Sequence, residues 1–298
     1  MRFTTRCLPL ALVGLFAAGA QAQALDGTLK KIQDSNTILI GVRESSIPFS
    51  YRDSKNQIIG FSADLCARVI DAVKQKTGKR DLQVQQIPVT SQNRTSLVQN
   101  GSVDLECGVT THLKSREQQI AFSTTFFIAA TRLLTNVNSG VKDFPDLAGK
   151  SVITNAGTTS ERILRKMNDE KKMNMNVISG KDYGESFLTL QSGRVQGFMM
   201  DDVLLAGART LAQKPTDWVV TGTPQSFEAY GFMLRKDDPQ FKTLVDDTLT
   251  GIMKRGEINT LYAKWFEKPV PPKNLNFNFP MSEQLKALYA KPNDTPFE

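Results

Sequence analysis

The sequence predicts an α/β protein of two lobes, each a mostly parallel sheet flanked by helices, joined by a two-strand hinge. Three observations carry this. Strand-like and helix-like segments alternate along the chain, which favours parallel strands with helices on their faces. The alternation falls into two sets, one starting near Thr37 and one near Lys150. The two stretches between the sets, around FFIAAT (126–131) and EAYGF (228–232), are apolar and β-prone rather than flexible, with no repeat or low-complexity linker. A chain of 298 residues is long enough for two such units.

In the first set, Thr37 to Val42 reads as a strand. GFSADLCARVIDAVKQKTG follows as a helix, with Leu65, Val69, Ile70 and Val73 on one face, Ser62 as cap and Gly78 as stop. LQVQQIPV is a strand, TSQNRTSLVQNG a short helix ending at Asn100-Gly101, and VDLECGVT a third strand. The second set reads SVIT (strand), GTTSERILRKMNDE (helix), MNVIS (strand), GESFLTLQSGR (helix), VQGFMM (strand), DVLLAGARTL (helix) and DWVVTG (strand). YGFMLRK is then a strand returning to the first lobe. The helix DPQFKTLVDDTLTGIMKRGE carries a stripe of Phe241, Leu244, Val245, Leu249, Ile252 and Met253. TLYAKWF is a short helix, the proline-rich PVPPKNLNFNFP wraps the surface, and SEQLKALYA is a last helix.

The first 22 residues have the order of a secretory signal. Arg2 and Arg6 form a basic start, Leu8 to Ala18 an apolar run too short to span a bilayer, and Ala20-Gln21-Ala22 a small-residue cleavage site. Ala22-Gln23-Ala24 offers a second one. Cleavage after Ala22 would lower the formal net charge from +7 to +5, a mild bias without basic runs, so nucleic acid is not implied. Cys66 and Cys107 remain in the mature chain. In an oxidising compartment they are either a disulfide or two buried thiols. His112 is the only histidine, and no Cys/His spacing suits a metal, so histidine triads and zinc sites are excluded and no cofactor is expected.

In open α/β sheets ligands sit beyond the carboxyl ends of the strands. Those ends deliver Arg43, then Ser91 and Arg94, then Thr111 with Arg116 close behind. The second unit contributes Thr158 and Thr159 from AGTTSE, where Thr158 and Glu161 have capping-box spacing, and Asp201 and Asp202 from GFMMDD. A guanidinium fork matches a carboxylate through two parallel hydrogen bonds. Three cations and one acid at one mouth suit a zwitterion bearing an extra carboxylate. Taken singly, each arginine also reads as a surface ion pair and each acid as a helix cap.

The segments GVRESSIPFSY, VTSQNR, ECGVTTHLKSREQQIAFS, AGTTSE, GFMMDD, EAYGFMLRKDDPQFK and PPKNLNFNF resemble the glutamate/aspartate-binding members of the periplasmic solute-binding proteins, family 3, which serve ABC amino-acid importers. The resemblance covers essentially the whole mature chain. It implies the type II periplasmic-binding-protein fold, with a signal peptide at 1–22, lobe one at 25–127 plus 229–298 and lobe two at 128–228. It implies a periplasmic monomer that closes about a hinge on L-glutamate or L-aspartate and then docks on an inner-membrane permease. By position, Arg116 and Thr111 resemble the clamp on the α-carboxylate, joined by Thr158 and Thr159. Asp201 is similar to the acceptor of the α-ammonium, with Asp202 as helix cap. Arg43, Ser91 and Arg94 resemble the readers of the distal carboxylate. Two positions depart from the pattern: Tyr183 stands where these members have a histidine, and Val109 where they have a serine. The alternatives are a binder of another anionic metabolite and a dehydratase-type enzyme using Glu44 or Asp182.

Overall fold

The computed structural model describes residues 24–271 and 273–297. The expected signal peptide, 1–22, lies outside them. The chain opens with α1 (Gly27–Ser35), β1 (Thr37–Val42), the small strands β2 (Ser45–Ser46), β3 (Ser50–Arg52) and β4 (Ile58–Ile59), and α2 (Phe61–Thr77). Then come β5 (Gln83–Pro88), α3 (Arg94–Gln99), β6 (Leu105–Thr111), β7 (Ile120–Phe122) and the long β8 (Phe127–Asn136). The second unit holds β9 (Ser151–Asn155), α4 (Thr159–Glu170), β10 (Asn176–Gly180), α5 (Tyr183–Gln191), β11 (Gly197–Asp201), α6 (Asp202–Arg209) and β12 (Trp218–Thr221). The chain returns through β13 (Phe227–Arg235) to α7 (Pro239–Lys254), α8 (Glu257–Phe266), the β14–β15 ribbon (Pro269–Val270, Leu275–Asn276) and α9 (Glu283–Ala290).

The sheet order is β10-β9-β11-β8-β13-β6-β1-β5. Each end of this path is parallel, β5-β1-β6 on one side and β10-β9-β11 on the other. The two central strands run antiparallel and are shared. β8 pairs with β13 through Phe127–Ala130, then with β11 through Thr131–Leu134. β13 pairs with β8 up to Tyr230, then turns its partners over to β6 and β7. These strands are the two crossings, and the register switches at Thr131 and Tyr230. Helix faces cover the sheet on both sides. One apolar cluster under the first unit joins Val89, Val98, Val103, Ile120, Phe122 and Met233, and another under the second joins Leu133, Leu147, Val152, Leu164, Met167 and Met199. An aromatic group props the crossing, with Phe127 at 4.9 Å from Phe49 and 5.2 Å from Phe266 between ring centroids.

The structure corrects three local readings. Gly60, not Ser62, occupies the N-cap of α2, and the Ser62 hydroxyl instead donates to the Gly108 carbonyl at 3.0 Å. The backbone explains it: Gly60 has φ +132°, and a Cβ there would overlap the Phe49 carbonyl. The capping box at AGTTSE is half formed, since Glu161 reaches back to the Gly157 amide rather than to that of Thr158. Helix α1 was not expected, because it buries only Thr28, Leu29 and Ile32 and has no side-chain cap. Among the described residues no helix is long and apolar enough to cross a membrane.

Cys66 of α2 and Cys107 of β6 are joined as a disulfide, with Cα atoms 5.9 Å apart and a sequence separation of 41. Closing a loop of that size restricts the unfolded chain by about 4 kcal/mol on a chain-entropy basis. Denaturant unfolding with and without reductant should therefore show a loss of about 2–4 kcal/mol on reduction.

Candidate functional site

The sequence-predicted site residues stand at strand ends and helix starts of both units. Arg43 follows β1 directly and is 2% exposed. Its main chain is fixed by Ser50, whose Oγ accepts from the Arg43 amide and donates to the Arg43 carbonyl. The guanidinium donates through Nη1 to Ser91 Oγ at 3.0 Å and lies 4.9 Å from the centroid of the Tyr183 ring. Arg94 opens α3, is buried, and donates to the Val109 carbonyl at 3.0 Å. The carbonyl of Val109 is thus in use by the site, a role that does not depend on a serine side chain. Arg116, partly buried, donates to the carbonyls of Thr111 (2.8 Å) and, across the cleft, Gly157 (3.4 Å).

Several other arginines find carboxylates: Arg52 pairs with Glu44, Arg68 with Glu257, Arg165 with Glu161 and Arg235 with Asp104. Among the described residues, no carboxylate comes within 4.0 Å of the guanidinium of Arg43, Arg94 or Arg116. Burial lowers the pKa of Arg94, opposed by the charge of Glu106 and reinforced by Arg43. Burial, then the charge of Arg94, pushes Arg116 down to about 10, still cationic at neutral pH.

The second unit faces these cations with helix starts. Thr158 caps α4: its Oγ1 accepts from the Glu161 amide at 3.1 Å and donates its one hydrogen to the Asn155 carbonyl at 2.6 Å. Its hydroxyl is therefore spent on the cap, and what the turn can offer an anion is the N–H groups at the positive end of the helix. The Thr159 hydroxyl donates to Glu228 at 2.8 Å. Tyr183 opens α5 and is buried against Arg43.

Asp201 ends β11 at the N-cap position of α6, yet its carboxylate makes no cap bond. It takes hydrogen bonds from the Tyr230 hydroxyl and from Thr131 Oγ1 (3.2 Å). Burial and the neighbouring Glu228 push its pKa well above the ordinary carboxylate range. Asp202 is the first helical residue rather than the cap, and it accepts from the amides of Val203 and Ala130, tethering α6 to β8.

Sequence reading missed Glu228 and Tyr230, because EAYGF was taken only as a connector. The available signal was a lone acid within a β-prone, otherwise apolar run. Both enzyme candidates are used elsewhere: Glu44 pairs with Arg52 at the surface and Asp182 caps α5. Among the described residues no cluster of His, Cys, Asp or Glu suits a metal ion.

A two-lobed sheet crossed by two shared strands, with charged groups converging where they cross, defines a hinged binding protein. The chain belongs to the bacterial extracellular solute-binding proteins, family 3, whose sequence profile matches residues 38–268. It is 53% identical over 291 residues to the glutamate/aspartate import solute-binding protein of Escherichia coli K12, covering 97% of this chain and 96% of that protein. It is 52% identical to the L-glutamate/L-aspartate-binding protein of Pseudomonas aeruginosa PAO1, covering 100% and 99%. In fold it is similar to a solute receptor for L-cysteine of Neisseria gonorrhoeae, with TM-score 0.70 at 22% identity, covering 84% and 97% of the two chains.

The two units touch at the site. Gly157 has φ +75°, and a Cβ there would stand 2.9 Å from the Ser91 carbonyl oxygen and from Gln92 Cα. Gly157→Ala should therefore cost the ligand-free fold about 1 kcal/mol for the left-handed backbone. It should weaken ligand binding further, on the order of tenfold, because the overlap arises only when the units meet. Paired thermal-unfolding and calorimetric measurements separate the two effects.

Proposed function

We propose that this protein captures L-glutamate and/or L-aspartate between its lobes, in the periplasm, and delivers it to the permease of an ABC importer. Three guanidinium groups without an ion pair, gathered at one mouth opposite a buried acid, carry the reading. Arg116, Thr111 and the first-turn amides at Thr158 and Thr159 hold the α-carboxylate, and Asp201 receives the α-ammonium. Arg43, Ser91 and Arg94 hold the distal carboxylate, with the Tyr183 hydroxyl as a neutral donor beside them. The lobes divide at 25–127 with 229–298, and 128–228. The mature monomer begins near residue 23, and the protein acts by capture, without chemistry on its ligand.

Glutamine would leave the two distal arginines underpaired in a dry site, and a buried charge stripped of its partner costs about 3–5 kcal/mol. The kinship to proteins named for both acids supports the ligand class. Calorimetry against glutamate, aspartate, glutamine and arginine tests it: only the two acids should bind tightly. Arg43→Ala and Arg94→Ala should each weaken them by at least about 100-fold, from the same buried-charge penalty, without loss of fold. Unchanged affinity in both variants would remove the distal-carboxylate assignment. The ligand should be recovered unaltered by mass spectrometry after prolonged contact.

A further inference from the structure

Glu228 is 2% exposed in β13, opposite Ala129 of β8, and its carboxylate gathers hydroxyls from four places. Oε2 accepts from Thr111 Oγ1 (2.6 Å) on β6 and Thr159 Oγ1 (2.8 Å) on α4. Oε1 accepts from Ser226 Oγ and lies 3.2 Å from Thr131 Oγ1. The same Thr131 oxygen is 3.2 Å from Asp201 Oδ1 and 2.7 Å from Ser226 Oγ. A threonine hydroxyl carries one hydrogen. It cannot donate to both acids, so two ionised carboxylates here would leave one oxygen facing Thr131 with no hydrogen between them. These four oxygens make four contacts on two hydroxyl hydrogens, and a proton on either carboxyl supplies a third, which completes one continuous chain from Asp201 through Thr131 and Ser226 to Glu228.

We propose that Glu228 is a positioning residue of the binding site that shares one proton with Asp201 across Thr131, and that capture of an acidic amino acid takes this proton up from solvent. The inference rests on the ligand class proposed above. Formal charge points the same way. Arg94 and Arg116 act on the buried Glu106, and Arg116 on Glu228; with Arg43 and Asp201 the site counts three cations and three acids, neutral if every group is ionised. A dicarboxylate with one ammonium would add a net negative charge to a dry cavity. One proton on the Asp201–Glu228 pair restores neutrality, which low-dielectric burial favours. When the ammonium reaches Asp201 it favours the ionised form there. The proton then resides on Glu228, which donates to Ser226, while Ser226 donates to Thr131 and Thr131 to Asp201.

The charged and titratable groups acting on the pair are Tyr230 on Glu228's own strand, Asp202 at the start of α6 and Arg116 from the first unit. Asp202 favours protonation of the pair, and Arg116 opposes it. Burial and like charge win at Asp201, whose pKa is raised. Opening the lobes would return both carboxylates to water, which favours their charged forms. The complex then binds more protons than its parts, so affinity is greatest at low pH and declines as pH rises.

The test is calorimetry of the full mature protein with aspartate and glutamate from pH 6 to 8.5, in buffers of different ionisation enthalpy. We expect uptake approaching one proton and affinity falling by up to about tenfold per pH unit. Glu228→Gln should lose the slope, since glutamine mimics the protonated acid. It also serves as control for titration of the ligand itself. Tight binding with buffer-independent heat and no pH slope would overturn the shared proton while leaving the ligand class intact. A slope that persists in Glu228→Gln would overturn the role of Glu228. Failure of either acid to bind wild type at any pH overturns both readings. If Glu228→Gln does not fold, the wild-type proton count decides alone.

Discussion

The site depends on three guanidinium groups that, among the described residues, have no direct carboxylate partner. Arg43 and Arg94 are buried and Arg116 partly so, and each makes carbonyl or hydroxyl hydrogen bonds in place of an ion pair. Removing such groups from water costs several kcal/mol apiece unless an anion meets them. Closing the lobes is therefore conditional on what lies between them. Affinity, specificity and closure become one constraint, because a ligand missing either carboxylate leaves a guanidinium desolvated and unmatched.

The fold serves that constraint by gathering the arginines on one side of a crossing and two helix N-termini with one acid on the other. The arginines follow β1, β5 and β6, whereas the helix starts of α4 and α5 and the end of β11 belong to the second unit. Between them run β8 and β13, whose register switch puts Thr131, Glu228 and Tyr230 at the seam. Glu228 accepts hydroxyls from both sides of the seam at once, Thr111 from the first unit and Thr159 from the second.

Much of this was legible in the sequence. Strand ends were readable because the β-prone runs reach Gly41, Pro88 and Thr111, and α/β topology then puts the residues that follow on one edge. Arg43, Arg94, Thr111, Arg116 and Asp201 all followed from that rule. What was not legible depended on contacts distant in sequence. The acid of Glu228 gains its meaning from Thr111 and Thr159, 117 and 69 residues away. The cap of α2 was misassigned because serine is the usual choice there, while Gly60 is dictated by the close Phe49 carbonyl. The roles of Asp201 and Asp202 at the start of α6 likewise turned on β8, whose Ala130 amide claims Asp202.

Small-angle X-ray scattering reads closure itself. Wild-type protein should be extended alone, compact with saturating aspartate or glutamate, and extended with glutamine at the same concentration. Arg43→Ala/Arg94→Ala should stay extended with all three. Equal compaction by glutamine, or by the doubly substituted protein, would contradict the claim that unpaired guanidinium charge governs closure.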